Sequence, residues 1–180
     1  MISKCDSHGN LSFNHIRSIT FNIKSNSIQQ CERIAMIERI LDASPNLSSL
    51  VIAWRDFRHC SRKYFSVKYV HLLLNGRYNN PKHYFDIHRL NELVPHLYSL
   101  ETSDSVMMLN NNLIEFILNI SHQFNQLVHL VLNKKCLYSS KKEKKLKFRD
   151  KLIAASHNQI FHGHNMHFQF YRYDDLRIWF

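Results

Sequence analysis

The sequence predicts an α/β solenoid of about five strand–helix units with parallel strands, closed by a C-terminal β cap. Three observations carry this prediction. A short apolar pattern at offsets 0, 3 and 5 recurs five times, starting at residues 16, 47, 67, 97 and 127, with spacings of 31, 20, 30 and 30 residues. The segments between the copies show helical apolar periodicity. The final segment, residues 161–180, alternates apolar and polar side chains, as strands do.

Each copy of the pattern is predicted to be a short strand that points its offsets 0, 3 and 5 into the core. The copies read "IRSITF", "LSSLVI", "VKYVHL", "LYSLET" and "LVHLVL", with Thr102 in the third apolar position of the fourth copy. Because the units of a solenoid stack on their neighbours, the residues at offset 3 should lie side by side. We call them the ridge residues: Ile19, Leu50, Val70, Leu100 and Leu130.

Four of the intervening segments predict helices that cover one side of these strands. Ser27 is the expected N-cap of the first helix and Pro45 its stop, while Pro81 and Pro95 bracket the second. The apolar positions expected to be buried are, helix by helix, Ile28, Cys31, Ile34, Ile37 and Leu41; Ile87, Leu90, Leu93 and Val94; Leu109, Leu113, Phe116, Ile117 and Ile120; and Leu146, Phe148, Leu152 and Ile153.

The length and composition indicate one domain with a sizeable core. The chain has 180 residues, of which 44% are hydrophobic. Residues 1–13 form a predicted N-terminal extension, residues 14–160 the solenoid, and residues 161–180 the capping strands. The pattern on either side of "YDD" predicts a hairpin or two consecutive strands. Because no comparable cap precedes Ile16, we expect further protein upstream of this segment.

Charge and cysteine usage limit the classes of partner and compartment. Lys and Arg outnumber Asp and Glu by 24 to 14, a balance that would attract nucleic acid, acidic lipid or an acidic protein surface. The four cysteines are scattered and form no CxxC pair, which predicts reduced thiols in a cytoplasmic or nuclear protein. No apolar stretch reaches the ~18 residues of a membrane span, so no membrane association is expected. We expect a monomer.

Three segments carry a resemblance to a known family. "ASPNLSSLVIAW", "VKYVHLLLN" and "QLVHLVLN" resemble leucine-rich repeats, with Asn75 at the position of the family's ladder asparagine. The long units and the "DLRIWF" ending are similar to the degenerate repeat arms of F-box/leucine-rich-repeat proteins, over about residues 14–180. The resemblance implies the substrate-recognition arm of an F-box-type ubiquitin-ligase receptor. No F-box pattern is visible, so binding of a Skp-type adaptor is expected only if an F-box exists upstream.

The predicted partner site is the concave face of the solenoid sheet. Offsets 2, 4 and 6 of each strand point to that face, away from the helices. A flat surface of mixed polarity suits a protein partner better than a small molecule. The alternative is a solvated sheet face that binds nothing specific. The candidate contact residues are Tyr69, His71, Leu73, Glu101, His129 and Asn133.

A lysine-rich run supports an alternative function. Nine basic residues lie between Lys134 and Lys151, and a nucleic-acid-associated protein would use them to contact phosphates. The candidate contacts are Lys141, Lys142, Lys144 and Lys145. The opposing interpretation is a helix that buries its apolar side and turns its lysines to water. A truncated repeat fragment without independent function is a third alternative.

Metal binding and catalysis are weakly indicated. Zinc or copper could bind a histidine cluster, but no cysteine lies near it, and loop histidines explain it better. The cluster consists of His157, His162, His164 and His167. No catalytic motif is present, and the adjacent His59 and Cys60 should point apart. We therefore predict no metal, no cofactor and no enzymatic activity.

Overall fold

The computed structural model describes residues 12–21, 29–74, 86–105, 109–134, 142–157, 167–170 and 175–180. Several predictions fall outside these residues. They concern most of the N-terminal extension, the apolar Ile28, the ladder asparagine Asn75, the basic Lys141, and the histidines His162 and His164.

The strands form one open, mostly parallel sheet, as the α/β prediction requires. Their bounds are β1 Ser18–Thr20, β2 Ser49–Ala53, β3 Tyr69–Leu73, β4 Ser99–Ser105, β5 His129–Lys134, β6 His167–Phe170 and β7 Leu176–Trp179. The spatial order is β1-β2-β3-β4-β5-β7-β6. Strands β1 to β5 are parallel and follow the chain order, whereas β7 runs antiparallel between β5 and β6. The predicted C-terminal strands are therefore present and extend the sheet.

The ridge residues line up across the five parallel strands. Ile19 pairs with Leu50, and the register continues through Val70 and Leu100 to Leu130. Ile19 is partly buried and the other four are buried, in a core that also contains the helices' apolar side chains. This confirms the predicted register. The next inward row contains Thr102, which is fully buried and whose hydroxyl has no hydrogen-bond partner among the described residues.

A repeated turn precedes the strands and positions them identically. The amide of the first apolar residue of the pattern donates to the carbonyl three residues earlier in four units, for example from Leu47 to Ser44 at 3.0 Å. The carbonyl of the residue after this first apolar residue then accepts hydrogen bonds from two backbone amides of the following unit. Ser48 O accepts from the amides of Lys68 and Tyr69, each at 2.9 Å. The corresponding acceptors in the other units are Arg17, Lys68 and Tyr98.

The C-terminal strand β7 continues this ladder in place of a sixth unit. The amide of Phe180 donates to the carbonyl of Val128 at 3.0 Å, which is the equivalent acceptor in the fifth unit. Ile178 pairs with Leu130 and is fully buried. The tail thus covers the apolar flank of the fifth strand, which a parallel unit would otherwise have to cover.

Five helices are described. Their bounds are α1 Gln30–Asp42, α2 Trp54–Phe57, α3 Ile87–Leu93, α4 Asn111–Gln123 and α5 Lys142–His157. Asp86 caps α3 by accepting from the amide of Arg89 at 3.0 Å, and Asn110 caps α4 by accepting from the amide of Leu113 at 3.1 Å. Contacts join α1 to α2, α3 to α4, and α4 to α5. No helix among these is long and apolar enough to cross a membrane.

The sequence assigned α1 incorrectly in two respects. Its N-cap is Gln29 rather than Ser27, and Cys31 is exposed rather than buried. Arg33 takes a buried position together with Ile37 and Leu41. The physical reason is an ion pair, since Arg33 Nη2 lies 2.9 Å from the carboxylate of Asp56 on α2. This pair turns α1 so that the guanidinium faces its neighbour.

Two further helical assignments need correction. Leu146 is 40% exposed, whereas Phe148, Leu152 and Ser156 of α5 are buried, so that the inward stripe follows a spacing of four residues. The short helix α2 was not predicted, because four residues carry no detectable periodicity. It directly follows β2.

Candidate functional site

The face of the sheet opposite the helices carries all six predicted contact residues. We call it the open face, because apart from the buried Val131 its side chains are exposed or half-buried. The register places its side chains in transverse rows. One row contains Ser49, Tyr69, Ser99, His129, Trp179 and His167. The next contains Val51, His71, Glu101, Val131, Arg177 and Gln169. Leu73 and Ser103 pair in a third row, and Asn133 extends from the same face of β5.

The first row is rich in rings. The imidazole of His129 stacks on the indole of Trp179, with 5.2 Å between ring centroids and 24° between planes. On the opposite side of Trp179, the ring of His167 on β6 lies 5.5 Å from the indole, measured between ring centroids. On β3, Tyr69 is 47% exposed and meets Tyr98 edge-on at 5.9 Å. These side chains give the open face an aromatic border at the beginning of the parallel strands.

The second row contains a carboxylate held by neighbours on both sides. Asn133 donates its side-chain amide to Glu101 Oε1. His71 Nε2 lies 3.9 Å from the same oxygen and 3.0 Å from the hydroxyl of Ser103. The contacts link β3, β4 and β5, so Glu101 is positioned before any partner arrives. A positioned acceptor loses little side-chain entropy when it binds.

His129 is the titratable group whose environment on this face is most altered. Its Nδ1 lies 3.3 Å from the hydroxyl of Ser99, and its buried Nε2 has no hydrogen-bond partner among the described residues. Burial lowers the pKa of His129, and the nearby guanidinium of Arg177 lowers it further, against an opposing effect of Glu101. The ring is therefore neutral at neutral pH, which suits stacking on Trp179.

The lowered pKa of His129 predicts a pH dependence of stability. Below the ordinary value of 6.5, the unfolded chain binds a proton at this site that the folded chain resists. The stability of the wild-type protein should therefore fall with decreasing pH relative to His129→Gln, whose side chain does not titrate. The check is urea unfolding of both proteins between about pH 8 and pH 5. A constant difference in unfolding free energy across this range would contradict the assignment.

The contribution of the tail to the open face was not predicted from the sequence. The C-terminal strands were expected only as a cap, whereas His167, Gln169, Arg177 and Trp179 lie beside the predicted contact residues. The signal was present in the alternation of the tail. His167 and Gln169 alternate with Phe168 and Phe170, and Arg177 and Trp179 alternate with the buried Leu176 and Ile178, so the two sets must lie on opposite faces of the sheet. What the alternation could not show is that β7 pairs with β5.

Residues 142–151 of the lysine-rich run lie on α5. Lys142 and Lys144 are exposed. Lys145 instead lies over the ring of Phe170, 5.6 Å from its centroid, and Lys147 pairs with Glu143 at 2.6 Å. Acidic side chains therefore interrupt the basic surface of this helix, which weakens the case for a phosphate-binding face.

The remaining chemical candidates do not form a reactive site in the described residues. Cys60 is fully buried, and burial together with the nearby Glu38 raises the pKa of its thiol to about 12. A thiol that stays protonated is a poor nucleophile. His59 Nε2 accepts from the guanidinium of Arg58 at 3.1 Å. The described residues contain no group of three side chains able to hold a metal ion.

No protein-family model, curated protein or solved structure matches the chain. The open face and the repeated units are therefore the basis for a functional argument.

Proposed function

We propose that the chain is an irregular leucine-rich-repeat-like solenoid that acts as a non-catalytic protein-interaction module. The observation that carries the proposal is the row of rings on the open face, formed by Tyr69, His129, Trp179 and His167. The solenoid part is supported by the aligned ridge residues, by the recurring turn and by the carbonyl ladder. In such an architecture the sheet face away from the helices is the usual binding surface.

The extent and chemistry of the open face favour a protein as the partner. Neighbouring strands lie about 4.8 Å apart, so the row from Tyr69 to His167 spans about 19 Å. This is too long and too flat for a small-molecule pocket. Tyr and Trp are enriched at the energetic centres of protein interfaces, and the positioned Glu101 adds a polar contact that fixes orientation.

The sequence resemblance extends the proposal to a biological role. On that basis, the module is the target-recognition arm of an F-box-type ubiquitin-ligase receptor. Binding of a Skp-type adaptor belongs to the proposal only for a polypeptide that also carries an F-box. The target itself is a protein whose surface complements an aromatic row with one adjacent carboxylate.

The proposal is tested by comparing the partners of matched variants. The wild-type chain, two open-face variants (Tyr69→Ala and Trp179→Ala) and two helix-surface controls (Met36→Ala and Leu146→Ala) are each used for affinity purification from cell extract. Circular dichroism and thermal unfolding first establish that every variant is folded. Met36 and Leu146 are 39% and 40% exposed, so the controls also remove exposed apolar side chains.

We expect one or more proteins to be retained by the wild type and both controls but lost with the open-face variants. Each such protein is then purified, and its Kd should rise about tenfold or more on Trp179→Ala, as for an interface anchor. If folded open-face variants retain every partner at unchanged affinity, the proposal is wrong.

A further inference from the structure

One position in the aromatic row of the open face is small. Ser99 on β4 lies between Tyr69 on β3 and His129 on β5. Trp179 stacks on His129 from the β7 side, so the side of the imidazole toward β4 borders Ser99. On the other side, the exposed ring of Tyr69 meets that of Tyr98 edge-on. The serine therefore leaves a gap between two ring-lined sides, which we call the ring gap.

A carboxylate lies at one end of the ring gap. Glu101 follows Ser99 by two residues on β4, so both side chains are on the open face, about 7 Å apart along the strand. The Glu101 side chain is 39% exposed, and among the described residues it contacts the amide of Asn133 and the imidazole of His71. Neither is a lysine or an arginine. An exposed, positioned carboxylate of this kind is a ready acceptor for a cation of a partner.

Basic side chains also lie around this face, but at a distance from the carboxylate. The backbone of Arg177 on β7 is two strands from Glu101, about 10 Å, with the buried Val131 between them. The exposed Lys68 lies about as far away, at the opposite end of the gap beside Tyr98. Both separations exceed the Debye length of about 8 Å at physiological ionic strength. The ring gap therefore has one negative end.

The width of the ring gap fits a flat cation. Tyr69 and His129 are two strands apart, about 10 Å. A cation midway between them lies about 5 Å from each ring, within the range of about 6 Å for a cation–π contact. Burial lowers the pKa of His129, so this ring is neutral at neutral pH and does not repel a cation. A planar guanidinium stacks on rings and donates two hydrogen bonds to one carboxylate, which an ammonium group does not do.

The other serine of the row lacks these features. Ser49 lies on the far side of Tyr69, but its second neighbour is Ser18 rather than a ring. Two residues further along its strand, Val51 takes the position that Glu101 has on β4. Ser49 is therefore a control site within the same row.

We propose that the ring gap binds an arginine side chain of the partner protein, with the guanidinium between Tyr69 and His129 and hydrogen-bonded to Glu101. The inference rests on the protein-interaction function proposed above and specifies the chemistry of the partner. The segment that meets the open face presents an arginine at its centre. Because the chain has a formal charge of +10, this attraction is local to Glu101 and not a property of the whole surface.

The test is an NMR titration of the isotope-labelled full chain with the blocked peptide Ser-Gly-Arg-Gly-Ser. Amide shifts should centre on Ser99, Glu101 and His129. Citrulline in place of arginine keeps the shape without the charge, and lysine keeps the charge without the planar fork. Each control peptide should bind about fivefold more weakly or not at all. Equal affinity for either control peptide, or no shifts at the ring gap with millimolar arginine peptide, overturns the proposal.

A matched pair of charge variants tests the carboxylate. Glu101→Gln keeps an oxygen that accepts from Asn133 but removes the charge, and should weaken the arginine peptide about tenfold. Glu143→Gln makes the same change in net charge on the exposed surface of α5 and should bind like the wild type. Equal affinity of the two variants overturns the site.

Two further pairs test the shape of the ring gap in variants shown to be folded by circular dichroism. Ser99→Leu fills the gap and should abolish binding, whereas Ser49→Leu makes the same change outside it and should not. Tyr69→Leu should weaken the arginine peptide about fivefold, whereas Tyr69→Phe keeps the ring and should bind normally. If Ser99→Leu does not fold, the Tyr69 pair decides. Binding unchanged in folded Ser99→Leu or Tyr69→Leu overturns the proposal.

Failure of this inference is distinguishable from failure of the proposed function. Proteins that are lost with Tyr69→Ala but retained at unchanged affinity by Glu101→Gln would contradict the arginine site and leave the interaction module intact. Loss of the same proteins with Glu101→Gln, but not with Glu143→Gln, supports both. A chain that binds the arginine peptide at the ring gap, yet retains no protein from extract, supports the site and contradicts the proposed function.

Discussion

Replacing Asp56 with alanine is expected to lower the free energy of unfolding by about 3–5 kcal/mol. Asp56 is 2% exposed, and it receives both Nε and Nη2 of Arg33 at 3.3 and 2.9 Å. Arg33 is itself only 9% exposed. Removal of the carboxylate takes two charge-assisted hydrogen bonds from a buried guanidinium, and Asp56 then no longer offsets the cost of desolvating that charge.

The check is urea unfolding of Asp56→Ala, with two comparisons. The double variant Arg33→Met with Asp56→Leu removes both charges and should lie much closer to the wild type, because apolar replacement of a buried pair is often nearly neutral. Asp150→Ala breaks the exposed pair of Arg149 and Asp150, whose atoms lie 2.9 Å apart, and should cost less than about 1 kcal/mol. A loss for Asp56→Ala no larger than for Asp150→Ala would refute the account of a buried pair.

This ion pair shows what the sequence could not reveal. A charged residue in an amphipathic helix is normally assigned to solvent, and Arg33 stands next to the predicted apolar position Ile34. Its burial depends on a carboxylate 23 residues away, on a helix too short to be recognised. The same limit explains why Leu146 was wrongly predicted to be buried. More than one line of apolar residues runs along α5, and only its contact with the core decides which line is buried.

The strands were predictable because two independent constraints coincide. Alternation within each copy fixes which side chains face the core, and the recurrence of the same pattern in every copy fixes the register of neighbouring strands. Together they place Tyr69, His71, Glu101 and His129 on one face, which the structure shows. The contribution of Trp179 needs a third fact, the antiparallel pairing of β7 with β5, and a single sequence contains no signal for it.

The second large effect is expected at the centre of the ridge. Leu100 is fully buried, with Val70 on one side and Leu130 on the other. Leu100→Ala should lower the free energy of unfolding by about 2–5 kcal/mol, through lost burial and the cavity that remains. Leu146→Ala removes the same atoms from a side chain that is 40% exposed, and should cost no more than about 0.5 kcal/mol. Equal losses for the two variants, measured by urea unfolding, would show that the ridge is not a packed core.

Energetic coupling between ridge residues, measured as non-additive losses of unfolding free energy, tests how the repeated units pack on one another. In a stack of units each unit contacts only its neighbours, so the milder Leu100→Val and Leu130→Val, on adjacent strands, should be non-additive by about 0.5 kcal/mol or more. Leu50 and Leu130 lie three strands apart, about 14 Å, and their valine variants should be additive. Equally strong coupling in both double-variant cycles would mean that the ridge is a single globular core, and the nearest-neighbour account of the fold would be wrong.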